Sequence, residues 1–228
     1  MLKPEDLFRL DGWEHADLFQ GVEWAWEALG RIAAYLEARL RPGIEGRVME
    51  GAWIERERVS IGRDTVVEPG ACVFGPAIIG RGCEVRQGAY IRGNALVGDG
   101  CVVGHVTEMK NSVMLEGAKA GHFAYVGDSL LGRGVNLGAG TKLANLKINE
   151  TPVTVRYEGR THETGLRKFG ALIGDGCELG CNSVASPGTI IGPGTLVYAN
   201  ASVSGVIPAR SIVKLKQVLE VHPRREPA

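Results

Sequence analysis

The chain has 228 residues, which is enough for one large domain with an appendage and for a sizeable buried core. Its 26 Lys and Arg residues balance its 26 Asp and Glu residues, so bulk attraction to nucleic acid or to an anionic membrane is not expected. The sequence contains no charged leader followed by an apolar run and no apolar segment of bilayer length, which predicts a cytoplasmic protein without membrane contact.

The cysteine pattern predicts reduced thiols. The five cysteines never form a Cys-x-x-Cys pair, and their odd number leaves one without a partner, so we expect them to be reduced side chains of the core. The 33 glycines are high for an ordinary domain, and they recur periodically.

The first 42 residues predict a helical segment. From Ala16 to Leu40 the apolar residues follow helical spacing, with Asp17 as a possible cap and Arg41-Pro42-Gly43 as the stop. We interpret this stretch as an amphipathic helix. The tryptophans there are expected to pack on their own domain or on a neighbouring subunit rather than to stack on a ligand; they are Trp13, Trp24 and Trp26.

From Ile61 the period changes to six residues. Each hexad opens with an aliphatic residue and carries a small residue four positions later, and the spacing shortens to five after Met109 and after Val126. A second run of hexads begins at Ile173. Such repeats predict an all-β fold, a parallel β-helix in which three hexads make one triangular coil, the openers fill the interior and glycines take the corners. Cys83, Cys101 and Cys177 occupy the small position.

The β-helix is predicted over residues 43–213, with an excursion at 146–166 and a tail over 214–228. Within the excursion, alternation in Val153–Arg160 ends in a glycine turn and favours a hairpin. Because a solid prism has no cleft of its own, a pocket is expected where neighbouring subunits meet, which favours a homotrimer.

His122 is the candidate base of this prism. It lies seventeen residues after His105, so the two imidazoles should stack in successive coils. Two stacked histidines would need a third ligand to hold zinc, and the other histidines fall in the helical segment, the excursion and the tail. The His-x4-His spacing of γ-type carbonic anhydrases is absent, so we expect no metal requirement.

The residues around His122 fit an N-acyl transfer to a phosphorylated amino sugar. His122 would take a proton from the amine, and the backbone N–H groups of Gly138-Ala139-Gly140 would face the oxyanion. Cations for a phosphate are present as Arg92, Lys110 and Lys168. A surface histidine among basic side chains is nevertheless more often ordinary than catalytic.

A family resemblance strengthens the catalytic interpretation. Three segments, Glu108-Met109-Lys110, Lys119 to Asp128 and Asn136 to Thr141, resemble the acetyltransferase domain of the bifunctional enzymes that make UDP-N-acetylglucosamine, members of the hexapeptide acyltransferase superfamily. The likeness runs from about Arg92 to Ala201 and implies a left-handed coil, whereas parallel crossovers are normally right-handed. Glu163 to Gly170 is more similar to archaeal sugar-1-phosphate nucleotidylyltransferases with a C-terminal acetyltransferase.

The resemblance also implies roles. His122 would be the catalytic base, oriented by Glu108, with Asn145 beside the reacting amine. The sugar phosphate would be held by Arg92, Lys110, Tyr125 and Lys168, and the sugar by Asn136. Acetyl-CoA, as co-substrate, would lie along Ala139, Gly140, Cys181 and Ala199.

The chain also departs from the family pattern. A Gly-rich nucleotide loop is missing from its start, Leu146-Lys147-Ile148 replaces the bacterial Tyr-Asp-Gly, and Cys181 stands at a position that is usually Ser. The sequence therefore keeps two hypotheses open. One is an acetyl-CoA-dependent N-acetyltransferase of the hexosamine-1-phosphate type, and the other is a non-catalytic module that binds sugar nucleotides beside a separate nucleotidyltransferase.

Overall fold

The computed structural model describes residues 1–224, and over residues 43–213 it is a left-handed parallel β-helix, as the hexads and the family resemblance predicted. Its three faces are parallel sheets of short strands, here called faces A, B and C. No helix among residues 1–224 is long and apolar enough to cross a membrane.

Face A has nine strands. They are β1 (Gly43–Ile44), β4 (Val59–Ile61), β7 (Ala77–Ile79), β10 (Ala95–Val97), β13 (Ser112–Met114), β16 (Leu130–Leu131), β21 (Ala171–Ile173), β24 (Thr189–Ile191) and β27 (Val206–Ile207).

Face B also has nine strands. They are β2 (Arg47–Val48), β5 (Val66–Val67), β8 (Glu84–Val85), β11 (Val102–His105), β14 (Lys119–His122), β17 (Asn136–Leu137), β22 (Glu178–Leu179), β25 (Leu196–Val197) and β28 (Ile212–Val213).

Face C has eight strands. They are β3 (Trp53–Ile54), β6 (Cys72–Phe74), β9 (Tyr90–Arg92), β12 (Glu108–Lys110), β15 (Tyr125–Gly127), β18 (Lys142–Leu143), β23 (Val184–Ala185) and β26 (Ser202–Val203).

The interior of the prism confirms the predicted pattern. The hexad openers and the small residues four positions later belong to one buried set of side chains, including Cys83, Cys101 and Cys177. Buried hydroxyls are paired with the backbone: Thr65 Oγ1 donates to the Gly80 carbonyl at 2.6 Å and accepts from the Cys83 N–H at 2.9 Å.

The predicted helix from Ala16 to Leu40 is wrong. The segment contains two 3₁₀ turns, Ala16–Phe19 and Ala25–Gly30, and one α-helix, α2 (Ile32–Arg39). A short helix, α1 (Pro4–Leu7), precedes them. One more 3₁₀ turn, Arg56–Arg58, connects β3 to β4 of the β-helix. Gly21 adopts a positive φ of 70°, which breaks a continuous helix. Asp17, predicted as a cap, instead accepts a hydrogen bond from the Tyr35 hydroxyl at 2.8 Å.

The N-terminal segment covers face A. Its apolar side chains form a second buried cluster with outward-facing residues of that sheet, and Trp26 and Trp13 belong to it, which confirms packing on the chain's own domain. The sheet residues in this cluster are Leu96, Val113, Leu130, Leu172 and Ile190. Faces B and C remain uncovered by this segment.

The excursion forms an antiparallel hairpin of β19 (Thr154–Tyr157) and β20 (Arg160–Glu163). Val153 and Val155 pack into the same cluster on face A. Residues 214–224 contain no helix or strand and are exposed. The last four residues of the predicted tail lie outside the described residues.

Candidate active site

Successive coils turn from face B to face C at one corner, and His122 lies on it. In four successive coils the carbonyl of the corner residue accepts a hydrogen bond from a backbone N–H of the next coil, at N···O distances of 2.7 to 3.0 Å. The residues that share this position, here called the His122 column, are His105, His122, Ala139, Cys181 and Ala199. Three of the four residues predicted to line the acetyl-CoA groove thus continue the line of His122.

His122 is exposed at the end of β14. Its backbone pairs in register with His105, as the seventeen-residue spacing predicted. The Nδ1 atom of His105 lies 2.9 Å from the Gln87 carbonyl, whereas the His122 ring has no hydrogen-bond partner within residues 1–224. Phe123, which follows, has a φ of 35°, so the chain turns sharply directly after the imidazole.

Glu108 forms no hydrogen bond to His122 among residues 1–224, and its role in orienting the base stays a prediction. Its Oε1 atom accepts a hydrogen bond from Arg92 Nη1 at 2.6 Å, and its backbone pairs with Tyr125 in the next coil. The predicted phosphate ligand Arg92 is therefore already paired with a carboxylate on face C.

Asp128 connects two of the predicted site residues, although no role was predicted for it. Lys110 Nζ lies 3.2 Å from Asp128 Oδ2, the Asn145 amide nitrogen donates to the same oxygen, and Asn111 Nδ2 donates to Oδ1 at 3.0 Å. Asp128 is 4% exposed. The corner residues at this end of face C recur every seventeen positions, a spacing visible in the sequence; they are Asn94, Asn111, Asp128 and Asn145.

Tyr125 lies on face C, in the strand that runs from the corner at His122 to the corner at Asp128. A β-carbon at Gly127 would come within 2.6 Å of the Tyr125 hydroxyl oxygen, so the missing side chain lets the phenol ring lie along its own strand. Burial raises the pKa of the Tyr125 phenol, and the Glu108 and Asp128 carboxylates raise it further. The hydroxyl is therefore a hydrogen-bond donor at neutral pH.

Lys142 is a cation of this face that sequence reasoning missed. It pairs in register with Tyr125, and its Nζ atom donates to the Gly140 carbonyl at 2.5 Å. Lys142, Tyr125 and Asn145 line an open depression of about 470 Å³. Its apolar rim includes Val106 and Phe123, both about half exposed.

Two further predicted acceptor residues, Asn136 and Lys168, do not line this depression. Asn136 is on face B, where its amide donates to Glu178 Oε2 at 2.9 Å and its backbone pairs with Lys119. Lys168 is exposed and forms a β-bridge with Leu146, next to Asn145. Within one subunit, therefore, Asn136 and Asn145 face different sides of the prism.

The predicted oxyanion donors are only partly available. The Gly138 N–H donates to the Leu179 carbonyl at 2.7 Å, and the Gly140 N–H donates to the His122 carbonyl at 3.0 Å. Gly140 is buried beneath Phe123 and Asn182, so it offers no surface for a cofactor. Among these three residues, Ala139 has the one N–H without an acceptor in the described part of the chain.

Metal-binding side chains do not gather around His122. Residues 1–224 contain no group of three or more His, Cys, Asp or Glu side chains arranged to hold an ion. The residues around His122 offer an imidazole, backbone N–H groups, amides and cations.

Comparison with known proteins places these features in a family context. The family model for the GMPPB C-terminal domain matches residues 73–164, a range that includes His122, Asp128 and Asn145. A bifunctional sugar-1-phosphate nucleotidylyltransferase/acetyltransferase from Sulfurisphaera tokodaii is 42% identical over 102 residues, which are 45% of this chain and 25% of that protein. Bifunctional protein GlmU from Nitratidesulfovibrio vulgaris is 34% identical over 182 residues, covering 78% of this chain and 32% of that protein.

The matched regions thus make up about a quarter to a third of these curated relatives. Among solved structures, the UDP-N-acetylglucosamine acyltransferase from Campylobacter jejuni superposes with a TM-score of 0.54 at 15% identity, covering 71% of this chain and 68% of that chain. At that identity the similarity concerns the fold.

Proposed function

We propose that this chain, which resembles the acetyltransferase domain of the bifunctional sugar-1-phosphate nucleotidylyltransferase/acetyltransferases, is an acetyl-CoA-dependent N-acetyltransferase. Its acceptor is the amine of a hexosamine-1-phosphate. The observation that carries the proposal is the His122 column: an exposed imidazole heads a line of small residues, while cations and amides occupy the adjoining face C.

The reaction requires one proton to move and one acyl group to change partner. The neutral amine attacks the thioester carbonyl, and His122 takes the proton that the nitrogen loses. The tetrahedral oxyanion accepts a hydrogen bond from the free Ala139 N–H. When the intermediate collapses, the C–S bond breaks, the amide forms and the thiolate leaves with the proton returned by His122. This step uses no metal.

The acceptor lies over face C. Lys110, Arg92 and Lys168 supply positive charge for the phosphate, and the Tyr125 hydroxyl donates a hydrogen bond. The Asn145 side chain faces the amine. Lys110 keeps two further N–H donors beyond the one directed at Asp128, so its ion pair does not prevent phosphate binding.

The donor lies along the His122 column. Ala139, Cys181 and Ala199 present small side chains in three successive coils, which leaves space for an extended pantetheine chain. The acetyltransferase named for the Sulfurisphaera tokodaii relative supports acetyl-CoA as the donor.

A homotrimer completes the site. Because residues 1–42 cover face A, neighbouring subunits would meet at faces B and C, the two faces that join at His122. Face C also exposes an aromatic cluster of Trp53, Phe74 and Tyr90, with ring centroids 4.4 and 5.8 Å apart. Asn136, which lies on face B, would then contact the sugar held on face C of a neighbour.

The second candidate is a sugar-nucleotide-binding module beside a separate nucleotidyltransferase. Two observations favour it: the predicted oxyanion donors Gly138 and Gly140 are already hydrogen-bonded, and Cys181 changes the donor side. Such a module would bind sugar nucleotides and show no acyl transfer.

Thiol release from acetyl-CoA with glucosamine-1-phosphate and galactosamine-1-phosphate decides between the two. The enzyme proposal expects turnover, an about 100-fold or greater loss in His122→Ala, and near-parent rates in His105→Ala, its stacked neighbour one coil earlier. Equal rates in both variants would refute His122 as the base. No turnover, together with a melting temperature that rises with UDP-sugars, would establish the binding module.

A further inference from the structure

Asp128 is a buried carboxylate to which the reaction above assigns nothing. Both of its oxygens are occupied: Oδ2 accepts from Lys110 and from the Asn145 amide, and Oδ1 accepts from Asn111. These three partners come from two neighbouring coils, one on each side of Asp128 along the prism. Two of the three are residues that the acceptor site uses.

Backbone geometry alone does not explain an aspartate here. Asp128 has a φ of 47°, a left-handed conformation that Asn and Asp tolerate better than most residues. However, Asn94 and Asn111 occupy the same corner in the two preceding coils, with φ values of 49° and 43°. An asparagine therefore meets the backbone requirement at this corner, and the negative charge at position 128 calls for another reason.

The charge determines which way the Asn145 amide faces. A carboxylate can only accept hydrogen bonds, so the Asn145 side chain must direct its NH₂ group toward Asp128. Its Oδ1 atom then points away from Asp128 and can accept a hydrogen bond, from the neighbouring Tyr125 hydroxyl or from a ligand. An acceptor oxygen is what an attacking amine requires, because the amine presents N–H donors while its lone pair points at the thioester.

The same oxygen of Asp128 also fixes Lys110. The Lys110 side chain is 19% exposed, and its Nζ atom lies 3.2 Å from Oδ2. One carboxylate oxygen thus holds both the ammonium proposed to bind the phosphate and the amide proposed to bind the amine. The phosphate and the amine of the acceptor would therefore be bound at a fixed distance from each other.

We propose that Asp128 is a positioning residue that holds Asn145 with its amide oxygen toward the substrate amine and Lys110 toward the phosphate. This inference rests on the proposed function, and it assigns Asp128 no contact with the substrate. An uncharged amide at position 128 could donate as well as accept, so Asn145 would lose its single orientation.

The test is Asp128→Asn, which keeps size and backbone preference and removes the charge. We expect kcat/KM for glucosamine-1-phosphate to fall about 10- to 100-fold, with the KM for acetyl-CoA unchanged and calorimetric binding of glucosamine-1-phosphate weakened in the absence of donor. The matched control is Asn94→Gly, at the same corner two coils earlier, for which we expect parent activity. Asp128→Gly, also compatible with the left-handed backbone, replaces Asp128→Asn if the latter does not fold.

A double-mutant cycle separates positioning from a structural role. If Asp128 acts through Asn145, Asp128→Asn adds little further loss to Asn145→Ala. Full additivity of the two losses, or parent values of kcat/KM in Asp128→Asn, would overturn the inference while leaving the proposed function intact. A parent protein that neither acetylates nor binds any amino-sugar phosphate would instead refute the proposed function and the inference with it.

Discussion

Gly104→Ala tests whether the His122 column depends on close approach of two backbones. Gly104 precedes His105, and a β-carbon added there would lie 1.8 Å from the Gly121 carbonyl oxygen and 2.4 Å from the Gly121 Cα atom. Both contacts are with backbone, so no flexible side chain can move aside. The coil that carries His122 would have to shift by more than about 1 Å.

The cost follows from the contacts around that point. Overpacking of this kind costs about 1–3 kcal/mol, and the shift would also strain two hydrogen bonds of about 1 kcal/mol each. These bonds are Phe123 N–H to the His105 carbonyl at 2.7 Å and Ala124 N–H to Thr107 Oγ1 at 3.2 Å. A total of about 3–5 kcal/mol corresponds to a melting temperature lower by about 10 °C for a chain of this length.

Thermal unfolding followed by circular dichroism, together with acetyl transfer at a temperature where the variant stays folded, measures both effects. We expect the rate to fall about 100-fold, because a displacement of about 1 Å misplaces the imidazole. The control is Gly43→Ala, where an added β-carbon meets nothing within 4 Å and φ is ordinary. If Gly104→Ala melts and reacts like Gly43→Ala, the close packing inferred at this corner is wrong.

Three further predictions concern other parts of the molecule. Cys181 is exposed whereas burial raises the pKa of Cys177 to about 11, so a thiol reagent should modify Cys181 first, and acetyl-CoA should slow that labelling; unchanged labelling would contradict the donor groove. Burial lowers the pKa of His15, so the unfolded chain takes up the proton first and stability should fall as pH drops below about 6.5. His15→Gln should flatten that fall in melting temperature between pH 7 and 5, and an equally steep fall would contradict the assignment. Trp26→Ala should cost about 3–5 kcal/mol within the cluster on face A and expose residues 1–42 to limited proteolysis while the β-helix stays folded; a single unfolding step of the whole chain would contradict two separate cores.

The β-helix was predictable because large aliphatic residues and small residues each recur every six positions along the chain. Openers such as Ile79 and Val97 and small residues such as Ala77 and Cys83 alternate at fixed positions, and each must point inward if a coil is to close. The N-terminal segment was not predictable in the same way. Its apolar residues satisfy helical spacing, yet they pack against a sheet face whose position the local sequence does not encode, and Gly21 allows the chain to turn onto it.

The alignment of site residues in successive coils was predictable from the sequence, whereas the ion pairs and hydrogen bonds between them were not. Spacing along the chain predicted that His122 stacks on His105, and the same seventeen-residue spacing would also have aligned Asn145 with Asp128. Which carboxylate each cation meets depends on side-chain reach across coils, so Arg92 with Glu108 and Lys110 with Asp128 emerged only from the structure. The same holds for the backbone N–H of Gly140, whose hydrogen bond follows from coil geometry.

The two shortened hexads explain why these pairs form where they do. In regular coils two residues make the turn from face C to face A, as Gly93 and Asn94 do between β9 and β10. After Lys110 a single residue, Asn111, makes that turn, and the coil that follows is again one residue short at Asp128. At the second of these shortened corners the Asp128 carboxylate lies 3.2 Å from Lys110 Nζ. A shortened hexad interrupts the regular strand pairing, and both shortened hexads lie in the coils that carry Glu108, His122 and Tyr125. The departures from the hexad are therefore the part of the sequence that positions the proposed site, and the regular hexads form the scaffold on which that site is held.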